Sequence, residues 1–173
     1  MIILLKDHLD IKCKMKHVKI FENFLFEPRS LILFRGQSGE FLDDNRKGGY
    51  QKFYGMLFLS DDIDNAYFYT KPGQQEIREI TVFEVPGNIA KVQGVYIDRL
   101  GTDKIEKFKK EGYAGVTSNV GELEADKGEV GMFQNYPPVR RFRTNVGKFS
   151  NKDIKELKKL GLSDYNIKLE ENL

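Results

Sequence analysis

Three polar side chains stand at the ends of predicted β-strands, where a rigid scaffold can hold them for chemistry. Arg35 ends the apolar run "SLILFRG", Ser60 ends "FYGMLFLS" and Glu129 opens "EVGMF". An arginine offers a planar, permanently charged fork that binds phosphate or carboxylate through two hydrogen bonds. A serine at a helix start combines a hydroxyl with positive potential. A glutamate can stabilise a developing positive charge or accept a proton.

A glycine and two tyrosines accompany these side chains. Gly36 has no Cβ, so a ligand could approach the backbone beside Arg35. Tyr67 and Tyr69 lie on the helix predicted after Ser60, and each offers a flat face to an aromatic ring. Together these residues could hold a dinucleotide and help to break a glycosidic bond.

Each of these residues also has a simpler interpretation. An arginine at a strand end is often part of a surface salt bridge, and Ser60 is sufficiently explained as a helix N-cap. Glu129, two residues after Lys127, can be a solvated residue, and the two tyrosines can be core or rim residues. Only the order of arginine, serine with its helix, and glutamate favours a common site.

Hydrophobic periodicity places these residues in an α+β fold. Strands are predicted within residues 30–36, 53–60, 76–85, 86–97, 114–120 and 129–133, and "NYPPV" is predicted to break the pattern. Helices are predicted at 61–70, 102–112 and 151–161, with N-caps at Ser60, at Thr102 or Asp103, and at Ser150 or Asn151. We predict one domain over residues 1–173, with an N-terminal helical and basic extension at 1–30 and a C-terminal helical extension at 144–173.

Composition limits the class of protein. The chain has 173 residues with 28 basic and 26 acidic side chains, and this balance is too even for a dedicated nucleic-acid-binding domain. The one cysteine, Cys13, excludes an intramolecular disulfide. No apolar run approaches the ~20 residues of a membrane span, so we expect a cytoplasmic protein without membrane contact.

Acidic residues raise the alternative of a metal-dependent nuclease. Five of them could supply oxygen ligands: Asp43, Asp44, Asp61, Asp62 and Asp64. The last three stand at a predicted helix start, where complementing the helix dipole is the better explanation. His8 and His17 have no partner at metal-binding spacing. The sequence therefore predicts no metal site.

Basic residues raise a second alternative, a binding module without catalysis. The segment "VRRFR" interleaves Arg140, Arg141 and Arg143 with an aromatic residue, and "KCKMKHVK" adds more positive charge. Such patches can bind phosphate backbones or stack on bases. A solvated basic face explains the same residues, so both interpretations stay open at this point.

Residues 31–142 resemble the ADP-ribosyltransferase superfamily. "LILFRGQS" resembles its aromatic-Arg-Gly strand end, and "GMLFLSDDIDNAYFY" resembles its strand ending in Phe-x-Ser or Thr before a helix with Ala and Tyr three apart. "EGYAGVTSN" and "GEVGMFQNYPPVRRF" are similar to the family's Gly-Tyr-Asp-Gly-Val segment and its glutamate strand. The spacing is most similar to compact versions in phage-encoded proteins and in polyvalent proteins of mobile elements.

The resemblance implies a split β-sandwich of two small sheets, flanked by short helices, with a cleft for NAD. Arg35 would hold the phosphates or the adjoining ribose of NAD, and Gly36 would bond the nicotinamide amide through its backbone. Ser60 would orient the glutamate and the ribose. Glu129 would bond the 2′-OH of the nicotinamide ribose and stabilise the oxocarbenium-like transition state. Tyr69, or else Tyr67, would stack on the nicotinamide.

The implied reaction transfers ADP-ribose from NAD, as a substrate, to a protein or nucleic-acid acceptor and releases nicotinamide. For a phage-encoded or toxin-type member, the place of action would be the host cytoplasm. Many arginine-directed members have Glu or Gln two residues before the catalytic glutamate, where this chain has Lys127, so arginine is not implied as acceptor. An NAD glycohydrolase would use the same residues with water, and an inactive member would serve for binding alone.

Overall fold

The computed structural model of the chain describes residues 30–42, 55–118, 128–145 and 147–173. The strands in these ranges are β1 Ser30–Ser38, β2 Leu57–Ser60, β3 Arg78–Pro86, β4 Ile89–Val92, β5 Gly115–Ser118, β6 Glu129–Met132 and β7 Pro138–Arg143. The α-helices are α1 Ile63–Tyr69, α2 Thr102–Lys110, α3 Asn151–Lys159 and α4 Asp164–Glu171. The fold is mixed α+β, as the sequence predicts. In the described ranges, no helix has the length and apolar character that a membrane crossing requires.

The seven strands form one sheet in the order β4-β5-β6-β2-β1-β3-β7. β4 and β5 are parallel, and the other neighbouring strands are antiparallel. β1 pairs with β3 along its whole length. By contrast, β1 and β2 share one register pair among the described residues, Phe34 opposite Ser60. The two halves of the sheet, β4-β5-β6-β2 and β1-β3-β7, therefore join through a narrow connection.

Side chains alternate between the two faces of the sheet. Three hydrophobic clusters show which buried side chains lie together on each face. The strands β1, β3 and β7 pack one face against α1, α3 and α4 through Phe34, Ile80, Val82, Phe142, Ile63, Tyr67, Leu157 and Ile167. The opposite face of β1 and β3 packs with β2 and β6 through Leu33, Phe83, Val85, Leu57, Leu59, Val130 and Met132. The third cluster joins α2 to the other half of the sheet through Met56, Ala90, Ile105 and Val116.

Helix α1 lies directly on β1 because Gly36 has no side chain. A Cβ at Gly36 would lie 1.6 Å from the carbonyl oxygen of Ala66 in α1. The N-cap of α1 is Asp62, whose carboxylate accepts a hydrogen bond from the N–H of Asp64 at 2.9 Å. The N-cap predicted at Ser60 is therefore wrong, because Ser60 still belongs to β2.

The two other predicted helices are present as α2 and α3, and the N-cap predicted for α2 is wrong. Ser150 caps α3, where its hydroxyl accepts a hydrogen bond from the N–H of Asp153 at 3.1 Å. Gly101, and not Thr102 or Asp103, is the N-cap of α2, and no side chain caps that helix. A glycine needs no side-chain oxygen to adopt the extended backbone of this position.

Strand β7 is an element that the sequence analysis missed. It begins at Pro138, inside the segment that was predicted to break the pattern. β7 is an edge strand of the sheet, and proline is tolerated as the opening residue of such a strand because its missing N–H breaks no ladder. Pro138 therefore opens a strand that carries the arginines of "VRRFR".

The structure describes the C-terminal extension predicted at 144–173 and almost none of the N-terminal extension predicted at 1–30. Residues 144–173 contain α3 and α4, and Phe149, Leu157 and Leu162 from this segment lie in the cluster that covers β1 and β3. The C-terminal segment is therefore part of the core. The extension predicted at 1–30 lies outside the described residues, apart from Ser30 at the start of β1.

Candidate functional site

Three neighbouring strands bring two of the predicted site residues into one row. Ser60 of β2 is the register partner of Phe34 in β1 and of Glu129 in β6. Directly opposite residues of antiparallel strands share a face, and neighbouring strands lie about 4.8 Å apart. We call Phe34, Ser60 and Glu129 the Ser60 row. It places a serine hydroxyl beside a carboxylate, although the two residues are far apart in sequence.

Local hydrogen bonds fix the backbone around the Ser60 row. Ser60 is 6% exposed, and its Oγ accepts a hydrogen bond from the N–H of Asp62 at 3.1 Å. A hydroxyl that accepts in this way still has its own proton to donate. The Thr117 hydroxyl donates to the carbonyl oxygen of Glu129 at 2.9 Å, and the N–H of Asp61 donates to the carbonyl of Gly128 at 3.0 Å. Glu129 is thus held on both sides, by β5 and by the end of β2.

Arg35 follows Phe34 in β1 and is half-buried. Its register partner is Thr81 of β3. Because side chains alternate along a strand, Arg35 points to the face opposite Ser60 and Glu129. The sequence did not indicate this difference. A ligand that contacts both Arg35 and Glu129 must therefore lie across the place where β1 and β2 separate.

Gly36 and the two tyrosines lie on the α1 side of β1. The face of Gly36 that a side chain would occupy is filled by Ala66. Tyr67 is 1% exposed and lies in the hydrophobic core, where its hydroxyl donates to Glu170 Oε2 at 2.7 Å. Tyr69 is 47% exposed and contacts Phe68 edge to face. Of the two tyrosines, only Tyr69 presents a ring to which a ligand has access.

Asp61 adds a second carboxylate at the end of β2. Its side chain lies against Gly128, since a Cβ at Gly128 would be 2.1 Å from Asp61 Oδ1. Partial burial raises the pKa of the Asp61 carboxyl above its ordinary value of 3.8. A backbone hydrogen bond opposes this shift in pKa, and the charge of Asp62 adds to it. Asp61 therefore follows Ser60 in sequence, and its side chain lies against Gly128, the residue that precedes Glu129.

A buried ion pair on the other side of β3 was not found by sequence reasoning. Arg78 and Glu170 are 0% and 1% exposed, and Nη1 of the arginine lies 2.9 Å from Oε2 of the glutamate. Arg78 also donates to the Thr70 hydroxyl, from Nε at 3.1 Å and from Nη2 at 3.0 Å, and to the carbonyl of Gly147 at 2.7 Å. Its guanidinium lies 5.1 Å from the ring centroid of Tyr67.

Glu170 completes this arrangement, which we call the Arg78 network. Its Oε1 accepts a hydrogen bond from the N–H of Phe149 at 2.6 Å, and its Oε2 accepts from Arg78 and Tyr67. Burial and the hydrogen bond to Glu170 raise the pKa of the Tyr67 phenol, and Arg78 partly opposes the shift. The network links α1, β3 and α4. Every member contacts another part of the protein, which is typical of a structural site.

The arginines of "VRRFR" do not form one surface patch. Arg140 forms an ion pair with Glu156 of α3, and its guanidinium lies 4.6 Å from the ring centroid of Phe142. Arg141 and Arg143 belong to the opposite face, because they alternate with Arg140 along β7. Nη1 of Arg143 lies 3.9 Å from Glu79 Oε2. Strand geometry thus divides the basic segment between two faces of the sheet.

The acidic residues that suggested a metal site have structural contacts where they are described. Asp62 caps α1, and Asp64 Oδ1 accepts hydrogen bonds from Ser163 N–H and Asn166 Nδ2, both at 2.9 Å. Across the described part of the chain, no three His, Cys, Asp or Glu side chains are grouped to hold a metal ion. Outside the described residues lie Asp43, Asp44, His8, His17 and Cys13.

The candidate site therefore consists of the Ser60 row with Arg35 on the reverse of β1 and Tyr69 on α1. Its residues come from three adjacent strands and from the helix that follows β2. No family model, no curated protein and no solved structure matches this chain.

Proposed function

We propose that this protein is an NAD-dependent mono-ADP-ribosyltransferase of the compact phage or toxin type, acting on a macromolecule in the cytoplasm of a host cell. The observation that carries the proposal is the Ser60 row. Ser60 and Glu129 come from separate sequence motifs, and the sheet makes them direct neighbours. Arg35, which lies inside β1 and follows Phe34, adjoins them.

The strand arrangement supports a split β-sandwich with a cleft at its centre. The described halves of the sheet meet at one register pair, Phe34 with Ser60. Side chains from both halves share one hydrophobic cluster, with Leu33 and Phe83 from one half and Leu57 and Val130 from the other. Two groups of strands that separate beside Arg35 and Ser60 suit a dinucleotide that contacts both.

Each residue would contribute to breaking the bond between nicotinamide and ribose. Departure of nicotinamide leaves a positively charged, electron-poor sugar, and the Glu129 carboxylate would stabilise that charge. Ser60 would donate its hydroxyl proton to the carboxylate or to the ribose and so fix their orientation. Arg35 would bind the diphosphate through its fork, and Tyr69 would stack on the nicotinamide ring.

The acceptor distinguishes the proposed transferase from a glycohydrolase, in which water takes the ADP-ribose. Lys127 precedes Glu129 by two residues, at the position that carries Glu or Gln in many arginine-directed transferases. A lysine there cannot accept a proton from a guanidinium, because its ammonium group is a donor only. We therefore propose an acceptor group other than arginine, on a protein or a nucleic acid.

The test follows nicotinamide release from NAD and transfer of label from NAD carrying a labelled adenine. Wild type and Glu129→Gln are assayed with and without host-cell lysate, and Glu84→Gln is the control because Glu84 is an exposed strand residue. Release by the wild type should fall about 100-fold or more in Glu129→Gln and stay unchanged in Glu84→Gln. Label should appear on a macromolecule only when lysate is present.

Three results would contradict the proposal. Wild type that neither binds NAD nor releases nicotinamide would leave a fold used for binding alone. Release that is equal in wild type and Glu129→Gln would place the chemistry away from the Ser60 row. Free ADP-ribose as the sole product, with and without lysate, would identify a glycohydrolase instead of a transferase.

A further inference from the structure

Three lysines line the exposed side of α3. Lys152, Lys155 and Lys159 are all exposed, and their spacing of three and four residues places them on one side of the helix. Ile154 and Leu157, on the opposite side of α3, belong to the hydrophobic cluster beneath it. Because an α-helix rises about 1.5 Å per residue, the three lysines span about 10 Å along the helix axis. We call them the lysine row.

The lysine row has no counter-charge within the described part of the chain. There, no hydrogen bond or ion pair engages the three ammonium groups. The carboxylates of α3 have other partners: Glu156 forms an ion pair with Arg140, and Asp153 Oδ2 accepts a hydrogen bond from the Ser150 hydroxyl at 2.6 Å. Like charges three and four residues apart destabilise a helix. The stability of α3 therefore does not account for the lysine row.

Two aromatic rings are exposed on the helices that meet the end of α3. Tyr165 of α4 is 76% exposed and Phe68 of α1 is 64% exposed, the highest values among the large hydrophobic side chains of the described residues. The end of α3 lies against the start of α1, since a Cβ at Gly161 would be 3.8 Å from Ile63 Cγ2. The start of α4 donates two hydrogen bonds to Asp64 in the same turn of α1. Both rings thus lie on elements that converge where the lysine row ends.

Lysines without counter-charge and exposed rings together suit a single-stranded nucleic acid. Ammonium groups bind phosphates as point charges and release the counterions condensed on them. Exposed aromatic rings stack on unpaired bases with little regard to sequence. An acidic protein would use the charges but has no bases to stack on the rings, and a duplex keeps its bases stacked on one another. The combination therefore favours a single strand.

We propose that a single-stranded nucleic acid binds along the lysine row, stacks bases on Tyr165 and Phe68, and is the acceptor of ADP-ribose. Its role as acceptor rests on the proposed function, whereas the binding surface rests on α3 and the helices that converge at its end. The row ends at Lys159, two residues before the glycine that lies against the start of α1. Because α1 begins three residues after Ser60, a strand that continues past Lys159 approaches the Ser60 row.

The transfer step balances without a further reactant. The bond between nicotinamide and C1′ of the ribose breaks, and nicotinamide leaves with the bonding electrons. An oxygen or nitrogen atom of the nucleic acid forms the new bond to C1′, and the proton of that atom passes to solvent. The products are the ADP-ribosylated strand, nicotinamide and one proton.

Fluorescence anisotropy with labelled single-stranded RNA, single-stranded DNA, duplex DNA and polyglutamate tests the binding surface. The row variant replaces the three lysines of the row by glutamine. The matched control Lys91→Gln/Lys104→Gln/Lys110→Gln removes the same charge from exposed positions of β4 and α2, which belong to the other half of the sheet. The row variant should bind single strands about tenfold or more weakly. Its slope of log K against log salt should be smaller by roughly 2, since each lost phosphate contact removes about 0.7. The control should bind as the wild type does.

The two rings are tested by Tyr165→Ala and Phe68→Ala. Each should weaken single-strand binding about fivefold or more through lost stacking. Tyr165→Phe keeps the ring and should bind as the wild type does. Thermal unfolding checks that every variant is folded, and the row variant should unfold no lower than wild type because it relieves repulsion between like charges.

The binding surface is overturned if the row variant binds single strands as tightly as the wild type, or if the control loses as much affinity. It is also overturned if the wild type binds no single strand or prefers the duplex. Polyglutamate that binds as tightly as RNA, with no effect of Tyr165→Ala, would identify an acidic protein as the partner instead. A preference for RNA or for DNA supports the proposal and identifies the kind of strand.

The role as acceptor is tested by adding the single strands to NAD carrying a labelled adenine. Label on the strand that decreases in the row variant, and not in the control, supports the assignment. Nicotinamide release without label on any nucleic acid contradicts the acceptor and leaves the proposed enzyme intact. A wild type that binds the strand through the lysine row without releasing nicotinamide supports the surface and contradicts the proposed enzyme.

Discussion

Arg35 and Arg78 lie on neighbouring antiparallel strands and point to opposite faces of the same sheet. Arg78 is fully buried, and its guanidinium contacts a carboxylate, a threonine hydroxyl, a backbone carbonyl and an aromatic ring. Arg35 is half-buried and stands where β1 leaves β2. An arginine therefore links three elements of the core at one position, and at the other position it lies next to the Ser60 row on the reverse of β1.

The two glutamates that accompany these regions differ in the same way. Glu170 accepts hydrogen bonds from Arg78, Tyr67 and the backbone of Phe149, all within the protein. Glu129 is half-buried at the start of β6, directly opposite Ser60 of β2. A carboxylate enclosed by protein donors stabilises the fold, whereas a partly accessible one beside a hydroxyl can act on a ligand.

The largest expected effect is the loss of stability on removing Arg78. Arg78→Met leaves the Glu170 carboxylate buried without its counter-ion, which costs about 3–5 kcal/mol in the free energy of unfolding. Urea unfolding measures this loss. The double variant Arg78→Met/Glu170→Leu should recover part of it, because no buried charge then remains unpaired.

The matched control for this ion pair is the exposed pair Lys158–Asp164, at 2.6 Å. Lys158→Met should leave the urea midpoint close to that of wild type, since exposed pairs contribute little. If Arg78→Met is no less stable than Lys158→Met, the Arg78 network does not hold the fold together.

The second effect concerns Gly36, which the sequence interpretation assigned to a ligand. Gly36→Ala would place a Cβ 1.6 Å from the Ala66 carbonyl oxygen, so α1 must move, at a cost of about 1–3 kcal/mol or more. Gly101→Ala is the control, because nothing lies within 4 Å of a Cβ at that position. Equal urea midpoints for both variants would show that α1 does not depend on the glycine.

The third effect distinguishes the two tyrosines of α1. Tyr67→Phe removes a hydrogen bond to a buried carboxylate and should cost about 1.5–3 kcal/mol in the free energy of unfolding. Tyr69→Ala should leave stability almost unchanged and raise the KM for NAD several-fold through lost stacking. An unchanged KM for NAD in Tyr69→Ala, together with a raised KM in Tyr67→Phe, would contradict the assignment of the nicotinamide contact to Tyr69.

The smallest effect is the pH dependence contributed by Asp61. Burial raises the pKa of its carboxyl above 3.8, so the folded state binds more protons than the unfolded state between these two pKa values. Stability contributed by Asp61 is then present below 3.8 and is lost as the pH rises through the folded-state pKa. Relative to wild type, Asp61→Asn should therefore gain stability as the pH rises across this window. Thermal unfolding from acid to neutral pH measures it, and parallel curves for the two proteins would contradict the shift.

The sequence predicted the types of most elements because their signals are local. The apolar run at 30–36 and the cap at Ser150 depend on neighbouring residues, and both agree with the structure. β7 was missed because a proline is compatible with an edge strand only, and the edge position depends on strand order. Strand order is a tertiary property that no local pattern contains.

Only part of the candidate site could be predicted, because its geometry also depends on how the strands pair. Arg35, Ser60 and Glu129 were recognised by residue type at predicted strand ends, but the prediction is wrong for Arg35, because β1 continues to Ser38. The register of β1, β2 and β6 could not be derived from these residues. That register makes Ser60 and Glu129 neighbours and turns Arg35 to the opposite face. The Arg78 network had no sequence signal, because Glu170 approaches Arg78 only after α4 has packed on the sheet.

The most direct test of the central claim compares Glu129→Gln with Glu170→Gln in one assay, the rate of nicotinamide release per folded molecule. We predict that Glu129→Gln unfolds at the wild-type temperature and loses about 100-fold or more in rate. Glu170→Gln should unfold at a lower temperature and keep the wild-type rate in its folded fraction. A Glu129→Gln protein that releases nicotinamide at the wild-type rate, or a folded Glu170→Gln protein that does not, would contradict the assignment of the two glutamates.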